Sequence, residues 1–453
     1  MTVSIFDSNI FGKAFTTKEM RAIFSDKNYI DCVIKAELAL ARAQEKTGLL
    51  PRGTASKIKK NIKTNKIDIE RLAESLLQVG RPIMGIVDQL KEQVGDHSEW
   101  IHYGASTYDI MDTARIIQIR QALSSIKKKM INSLILFDGL ASDHGDAIMA
   151  SRSNHMHSAT QTFGLKLVVY IDEFMRHLDR LEDLKSRALN VQLAGANGTL
   201  NAMGTRGIKT RLKFAKELEL GALDTFWHNA RDGITEVGQC LGLICSSIAR
   251  IGQNAAHLQS TEIQEIYESG DRNRGQSTTL PHKNNPRSAE FAEAIARLGR
   301  QRAQGLLEIM PQEHDRHGGT YVAEWALIPE VCILTDAALA WLVDLLERIQ
   351  IDEARMLANI WNAGGMVMTE NLVHALAEYM PKSQARSIVE EAYHDAKKTA
   401  KTIFQVLISR DEVSQTVPKK VIQEALKPQN SIGNSAEIVK KIRIRLDKFL
   451  NTI

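Results

Sequence analysis

The feature that most constrains this chain is a gap. Its prolines stand at positions 51 and 82 and then not again until 281, so 198 consecutive residues (83 to 280) contain none. A proline inside a helix costs about 3 kcal/mol, and so long an absence is what a set of very long helices would show. Periodicity agrees with that reading. Ile116, Ile119, Leu123, Ile126, Met130 and Leu134 recur at three- and four-residue steps, and Val237, Leu241, Ile244, Ile248, Ile251 and Ala255 do the same within an unbroken run from Ile234 to Tyr267. Helices longer than about 25 residues suggest a bundle. Their several apolar faces would need partners, which favours a homo-oligomer. The expected fold is all-α in three regions: shorter helices over 1–111 (Tyr29 to Thr47 is a clear one), long helices over 112–360, and shorter helices again over 361–453.

With 453 residues, 43% hydrophobic and 25% charged, the chain has the composition of a soluble globular protein. A net charge of +4 gives no global case for nucleic-acid binding, and local positive potential reads better as a site for a small anion. Cys32, Cys240, Cys245 and Cys332 form no close pairs and are expected to be buried thiols in a reducing compartment. Neither a signal-like N-terminus nor a stretch of about eighteen apolar residues is evident, so the expectation is a cytoplasmic protein without membrane contact.

The most specific chemistry lies in Gly275–Glu290. Gln276, Ser277, Thr278 and Thr279 favour a loop because short hydroxyl side chains compete with the backbone for hydrogen bonds. Pro286 stands near the first turn of a helix that follows, so Lys283 and Asn285 sit just ahead of a helix N-terminus, where backbone N–H groups favour anions. An ordinary polar loop between helices is the plainer alternative. Three further segments carry polar groups. His102–Ala114 joins the first region to the first long helix, with Ser106 and Thr107 as caps and anion donors; a simple capped helix start would look the same. Ser151–Gly164 contains Arg152, His155 and His157; the histidine pair lacks an acidic or cysteine partner nearby, so no metal is expected. Gln192–Leu200 is glycine-containing but lacks the Lys-Ser/Thr ending of a phosphate loop.

Gln276-Ser277-Thr278-Thr279-Leu280-Pro281-His282-Lys283-Asn284-Asn285-Pro286 resembles the signature of the fumarase/aspartase superfamily, Gly-Ser-Ser-x-Met-Pro-x-Lys-x-Asn-Pro. The Lys-x-Asn-Pro half is intact, while Gln276 and Leu280 depart from it. His102–Ala114 is similar to the superfamily's first shared region and Ser151–Gly164 to its second, where Arg152, His157, Thr162, Phe163 and Gly164 match. Trp227-His228-Asn229-Ala230-Arg231-Asp232 resembles Trp-His-Thr-Gln-Arg-Asp of adenylosuccinate lyases, with Ala230 replacing a substrate-contacting glutamine. Glu313-His314-Asp315-Arg316 with Glu324-Trp325, and the N-terminal Phe6-Asp7 and Phe11-Gly12, lean toward 3-carboxy-cis,cis-muconate cycloisomerases.

The resemblance implies a cofactor-free lyase or cycloisomerase acting on a small di- or tricarboxylate, built as a cytoplasmic homotetramer whose active sites are shared between subunits. Ser277 falls on the family's catalytic base. Lys283, Asn285, Ser106, Thr107, Arg152 and Arg316 would hold substrate carboxylates. His157 or His102 would assist the leaving group, with Glu290 orienting a histidine. Asn154 stands where adenylosuccinate lyases place their general-acid histidine; an amide cannot deliver a proton near neutrality, so Asn154 is counted among the binding groups. A binding or structural paralogue that kept the fold and lost turnover is the alternative.

Overall fold

The computed structural model describes residues 4–269, 274–399 and 401–452. Its principal helices are α1 (Asp26–Thr47), α2 (Ile69–Val79), α3 (Pro82–Val94), α4 (Thr107–His144), α5 (Phe163–Asp183), α6 (Gly207–Leu218), α7 (Asp232–Leu258), α8 (Arg287–Glu308), α9 (Gly318–Arg348), α10 (Glu353–Asn362), α11 (Thr369–Ala377), α12 (Lys382–Thr399) and α13 (Ser435–Leu450). The all-α expectation holds. All twelve periodic positions of the sequence, six on α4 and six on α7, are buried, as a 3.6-residue apolar stripe requires. The four cysteines are buried and unpaired, and burial pushes the Cys245 and Cys332 thiols up to about 12.

Two expectations need correction. The helix from Ile234 ends at Leu258 instead of running to Tyr267. Ser260 N–H closes a turn on His257 O, Gln264 takes a left-handed φ of 51°, and Ile266–Glu268 becomes a strand (β3) paired antiparallel with Ile349–Ile351 (β4). Within the proline-free stretch, Ile148–Ser153 (β1) and Met156–Thr162 (β2) form an antiparallel hairpin. Absence of proline permits strands as well as helices. The hairpin turns on Asn154 and His155, whose φ values of 50° and 65° are the left-handed pair that a two-residue turn needs.

The chain divides into two compact units, with boundaries inside the long helices. Unit 1 comprises residues 1–130, 177–249 and 294–340, and its core joins α1 and α3 residues such as Val33, Leu40, Ile83 and Leu90 to Ile110 and Ala114 of α4 and Phe214 of α6. Within it, Arg231 lies fully buried between two carboxylates, donating from Nη1 and Nη2 to Asp112 at 3.0 Å and from Nε to Glu324 at 2.9 Å. Unit 2 comprises residues 131–176, 250–293 and 341–453; one of its cores is formed by Leu372, Leu376, Ile388, Val389, Ile403, Leu407 and Ile422. There the start of α5 packs backbone to backbone on the turn after α4: a Cβ on Gly164 would lie 2.7 Å from Gly145 O.

Candidate active site

The residues singled out from the sequence fall into two sets, one in each unit. In unit 1 the organising group is one that sequence reading did not single out, Asp109, three residues into α4 and fully buried. Its Oδ2 accepts from the N–H groups of Ser106 (2.8 Å) and Gly195 (2.9 Å). Its Oδ1 accepts from Ala194 N–H and from His228 Nε2, both at 3.0 Å. Asp109 therefore caps α4 by reaching back to Ser106, which is half of a capping box, and also pins the glycine loop of Gln192–Leu200. Gly195 takes a φ of 73° to present its N–H.

With the cap made by Asp109, the Ser106 hydroxyl is left for other work. It accepts from Arg316 Nη2 at 3.2 Å; the same nitrogen donates to Gly195 O at 2.8 Å and lies 3.2 Å from His228 Nδ1. Among the described residues no carboxylate pairs with Arg316, in contrast to Arg231, so its charge is uncompensated beside a serine hydroxyl and a helix start. Thr107 is the first residue of that helix.

His102, also in unit 1, adopts a φ of 62°, which is uncommon for a side chain with a Cβ. Glu37 of α1, buried, holds it at both ends: one carboxylate oxygen accepts from His102 N–H at 3.1 Å, the other lies 2.6 Å from Nδ1. Burial alone would lower the imidazole pKa, but the Glu37 charge and hydrogen bond outweigh it and the net shift is upward. Glu37 left no signal in the sequence beyond a charged residue on an amphipathic helix.

In unit 2 the 275–286 segment is a closed loop. Asn285 donates to Gly275 O from its backbone N–H (2.8 Å) and from Nδ2 (2.6 Å), and Gly275 has φ 72° with no room for a Cβ. Inside the loop, Ser277 Oγ accepts from the N–H groups of Thr279 (3.3 Å) and Leu280 (3.1 Å), while Ser277 N–H donates to Lys283 O at 3.3 Å. Lys283 is exposed.

The helix N-terminus that the sequence marks as favouring anions meets one from the protein itself. Buried Glu268 already accepts from Ser288 N–H (2.9 Å) and Ala289 N–H (3.1 Å), so the first turn of α8 is capped from within the protein. Glu290 is paired with Arg287 at 2.7 Å on the exposed side of α8, and among the described residues no histidine is hydrogen-bonded to it.

Arg152 forks onto Glu265, at 2.9 Å from Nη1 and 2.6 Å from Nη2, and Asn359 Nδ2 supports the same carboxylate at 2.9 Å. Its charge thus has an internal partner. His157 stands opposite Arg152 in the hairpin, and burial together with the Arg152 charge lowers its pKa. Asn154 is exposed at the hairpin turn, where asparagine is a favoured residue for backbone reasons alone. Among the described residues, no group of three or more His, Cys, Asp or Glu side chains could hold a metal ion.

A family model described as Lyase matches residues 13–298, and one described as Adenylosuccinate lyase C-terminus matches residues 365–442. The chain is 32% identical to a 3-carboxy-cis,cis-muconate cycloisomerase of Acinetobacter baylyi, covering 94% of this chain and 96% of that one. It is 30% identical to an N-acetyl-S-(2-succino)cysteine lyase of Dickeya dadantii, covering 98% and 97%. A crystal structure of a fumarate lyase from a Mesorhizobium species superposes with a TM-score of 0.89 at 31% identity, covering 96% of this chain and 99% of that one. By its family model and by likeness along nearly its whole length, the chain belongs to the fumarase/aspartase superfamily and is an enzyme of the lyase or cycloisomerase kind.

Proposed function

We propose that this enzyme catalyses β-elimination, or the reverse addition that closes a lactone, on a small di- or tricarboxylate such as 3-carboxy-cis,cis-muconate or a substituted succinate. The observation that carries the reading is the environment of Ser277: two backbone N–H groups already point at its Oγ, as an alkoxide would require. In this mechanism Ser277 takes the proton next to a substrate carboxylate. The electron pair delocalises into that carboxylate, then forms the double bond as the C–X bond breaks, and X leaves with a proton. In the opposite direction a carboxylate oxygen adds to the alkene and the adjacent carbon recovers a proton. Lys283 beside Ser277, with Arg316, Ser106 and Thr107 contributed by a neighbouring subunit, favour the intermediate, which carries one negative charge more than the substrate, most strongly.

The two histidines are suited to different states. His102 is biased toward the imidazolium by Glu37 and His157 toward the neutral ring by burial and by Arg152, so His102 is assigned the proton that the leaving group takes. The relatives' names speak for the substrate class, since a carboxymuconate and a succinocysteine each carry several carboxylates. The reading includes the three-region layout of 1–111, 112–360 and 361–453 and a homotetramer with sites shared between subunits. Supporting the latter, Ile135, Val169, Leu243, Leu307 and Val322, on five different long helices, remain exposed in the single chain.

The test is a spectrophotometric assay of the purified enzyme against 3-carboxy-cis,cis-muconate and a panel of N-, O- and S-substituted succinates. Loss or gain of the unsaturated-acid absorbance with at least one of them is expected, and a silent panel overturns the assignment.

A further inference from the structure

Arg81 carries the further inference, which rests on Arg316 holding a substrate carboxylate. It is the residue between the left-handed end of α2, where Gly80 takes a φ of 74°, and Pro82, which opens α3. A proline confines the residue before it to extended backbone, and Arg81 has φ −145° and ψ 124°. The corner is therefore stiff. From it the guanidinium carbon lies 5.6 Å from the ring centre of Tyr108, 5.7 Å from that of Tyr321 and 5.9 Å from that of Trp325.

Tyr108 and Tyr321 are stacked with their ring centres 4.0 Å apart. A point almost equidistant from both lies beside the rims of the pair, not over a ring face, so attraction to the π faces does not explain this placement. Nη2 donates to Tyr108 Oη at 3.4 Å and Nη1 to Gly80 O at 2.6 Å. Nε and the second hydrogens of Nη1 and Nη2 are bonded to no described residue. Nη2 also stands 3.7 Å from where a Cβ on Gly318 would be, at the first turn of α9.

Positive charge accumulates here without an answer from the protein. Among the described residues no carboxylate pairs with Arg81. The first turn of α9 contains no acidic residue, so the positive pole of that helix adds to the arginine charge. Arg316, two positions before α9, has its guanidinium carbon 4.9 Å from the same Tyr108 ring centre and likewise lacks a carboxylate partner. The two cations are thus no farther apart than about a Debye length in 0.1 M salt, roughly 10 Å, and they repel each other until an anion joins them. A guanidinium fork matches the two oxygens of a carboxylate. In the mechanism above, Arg316 with Ser106 and Thr107 takes one substrate carboxylate, and Lys283 takes the one beside the carbon that Ser277 deprotonates. Arg81 is one cation more than a dicarboxylate needs.

We propose that Arg81 is a specificity-determining residue that binds a third carboxylate, so that the enzyme selects tricarboxylates over dicarboxylates.

Propane-1,2,3-tricarboxylate and succinate are the probes. Each is titrated calorimetrically into the full-length oligomeric enzyme in about 0.5 M salt, where charges that do not touch the ligand are screened. Wild type is expected to bind the tricarboxylate about tenfold or more tighter than succinate, the size of one charge-assisted pair. Arg81→Met keeps an unbranched stem and removes the charge. It should weaken tricarboxylate binding about tenfold or more and leave the succinate Kd within about threefold of wild type. Arg81→Gln repeats the measurement should the methionine variant melt at a lower temperature. A wild type without the preference, variants that keep it, or variants in which both probes weaken alike overturn the proposal. Arg316→Ala tells the two layers apart. Unchanged Kd values for both probes there sink the Arg316 reading itself; weakened binding there, beside Arg81 variants with intact tricarboxylate affinity, sinks only the role of Arg81.

Discussion

In the proposed mechanism the chemistry turns on Ser277. Replacing it with alanine is expected to lower kcat by about 10²- to 10⁴-fold, the usual worth of a positioned proton acceptor, while the fold persists, since among the described residues its Oγ bonds only N–H groups of its own loop. A variant with wild-type kcat would exclude it as the base. For His102 the sign of the pH effect follows from its upward shift. The imidazolium persists to higher pH than an ordinary histidine, so activity that needs this proton falls only as pH rises through the raised value. Glu37→Gln removes the charge responsible and leaves the lowering effect of burial. The alkaline limb of the kcat profile should therefore move to lower pH, and an unmoved limb would assign the proton elsewhere. The same pair links to stability: its contribution is full below the unfolded-state pKa of about 6.5 and is lost as pH rises through the folded-state value.

Elements are held by contacts of a different kind. Arg231 of unit 1 bridges Asp112 of α4 and Glu324 of α9, and all three are buried. Arg231→Met would leave two buried carboxylates without their cation and should destabilise the protein by about 3–5 kcal/mol, read as a shift in the urea midpoint. A shift below about 1 kcal/mol would mean that the carboxylates find other partners or protonate cheaply. In unit 2, Gly164 opens α5 against the backbone of Gly145, so Gly164→Ala forces the helix start outward at a cost of about 1–3 kcal/mol, measurable by thermal unfolding. The glycine that completes the second shared segment is thus explained by helix packing. Asn154 has a similar explanation. It appeared in the sequence as a missing acid, and in the structure it is one of two left-handed residues that let β1 turn into β2.

For the whole molecule, the expected species in sedimentation is a homotetramer, with Ile135, Val169, Leu243, Leu307 and Val322 covered by other copies. A stable, active monomer would contradict it. The sequence by itself determined the helical class and the buried faces of α4 and α7, because helical periodicity and proline exclusion are local rules that act over a few residues. It also marked the 275–286 loop, since glycine, proline and hydroxyl residues punctuate the chain wherever they stand. What only the tertiary structure decided was partnership. Three arginines that read alike have different fates: Arg152 is matched by Glu265, Arg231 by Asp112 and Glu324, and Arg316 by no carboxylate among the described residues. Glu37, Asp109 and Glu268 likewise gained their roles from residues 65, 119 and 20 positions away. A charge's role depends on what lies within a few ångströms of it, and that proximity is set by packing between segments far apart in the chain, which no local pattern records.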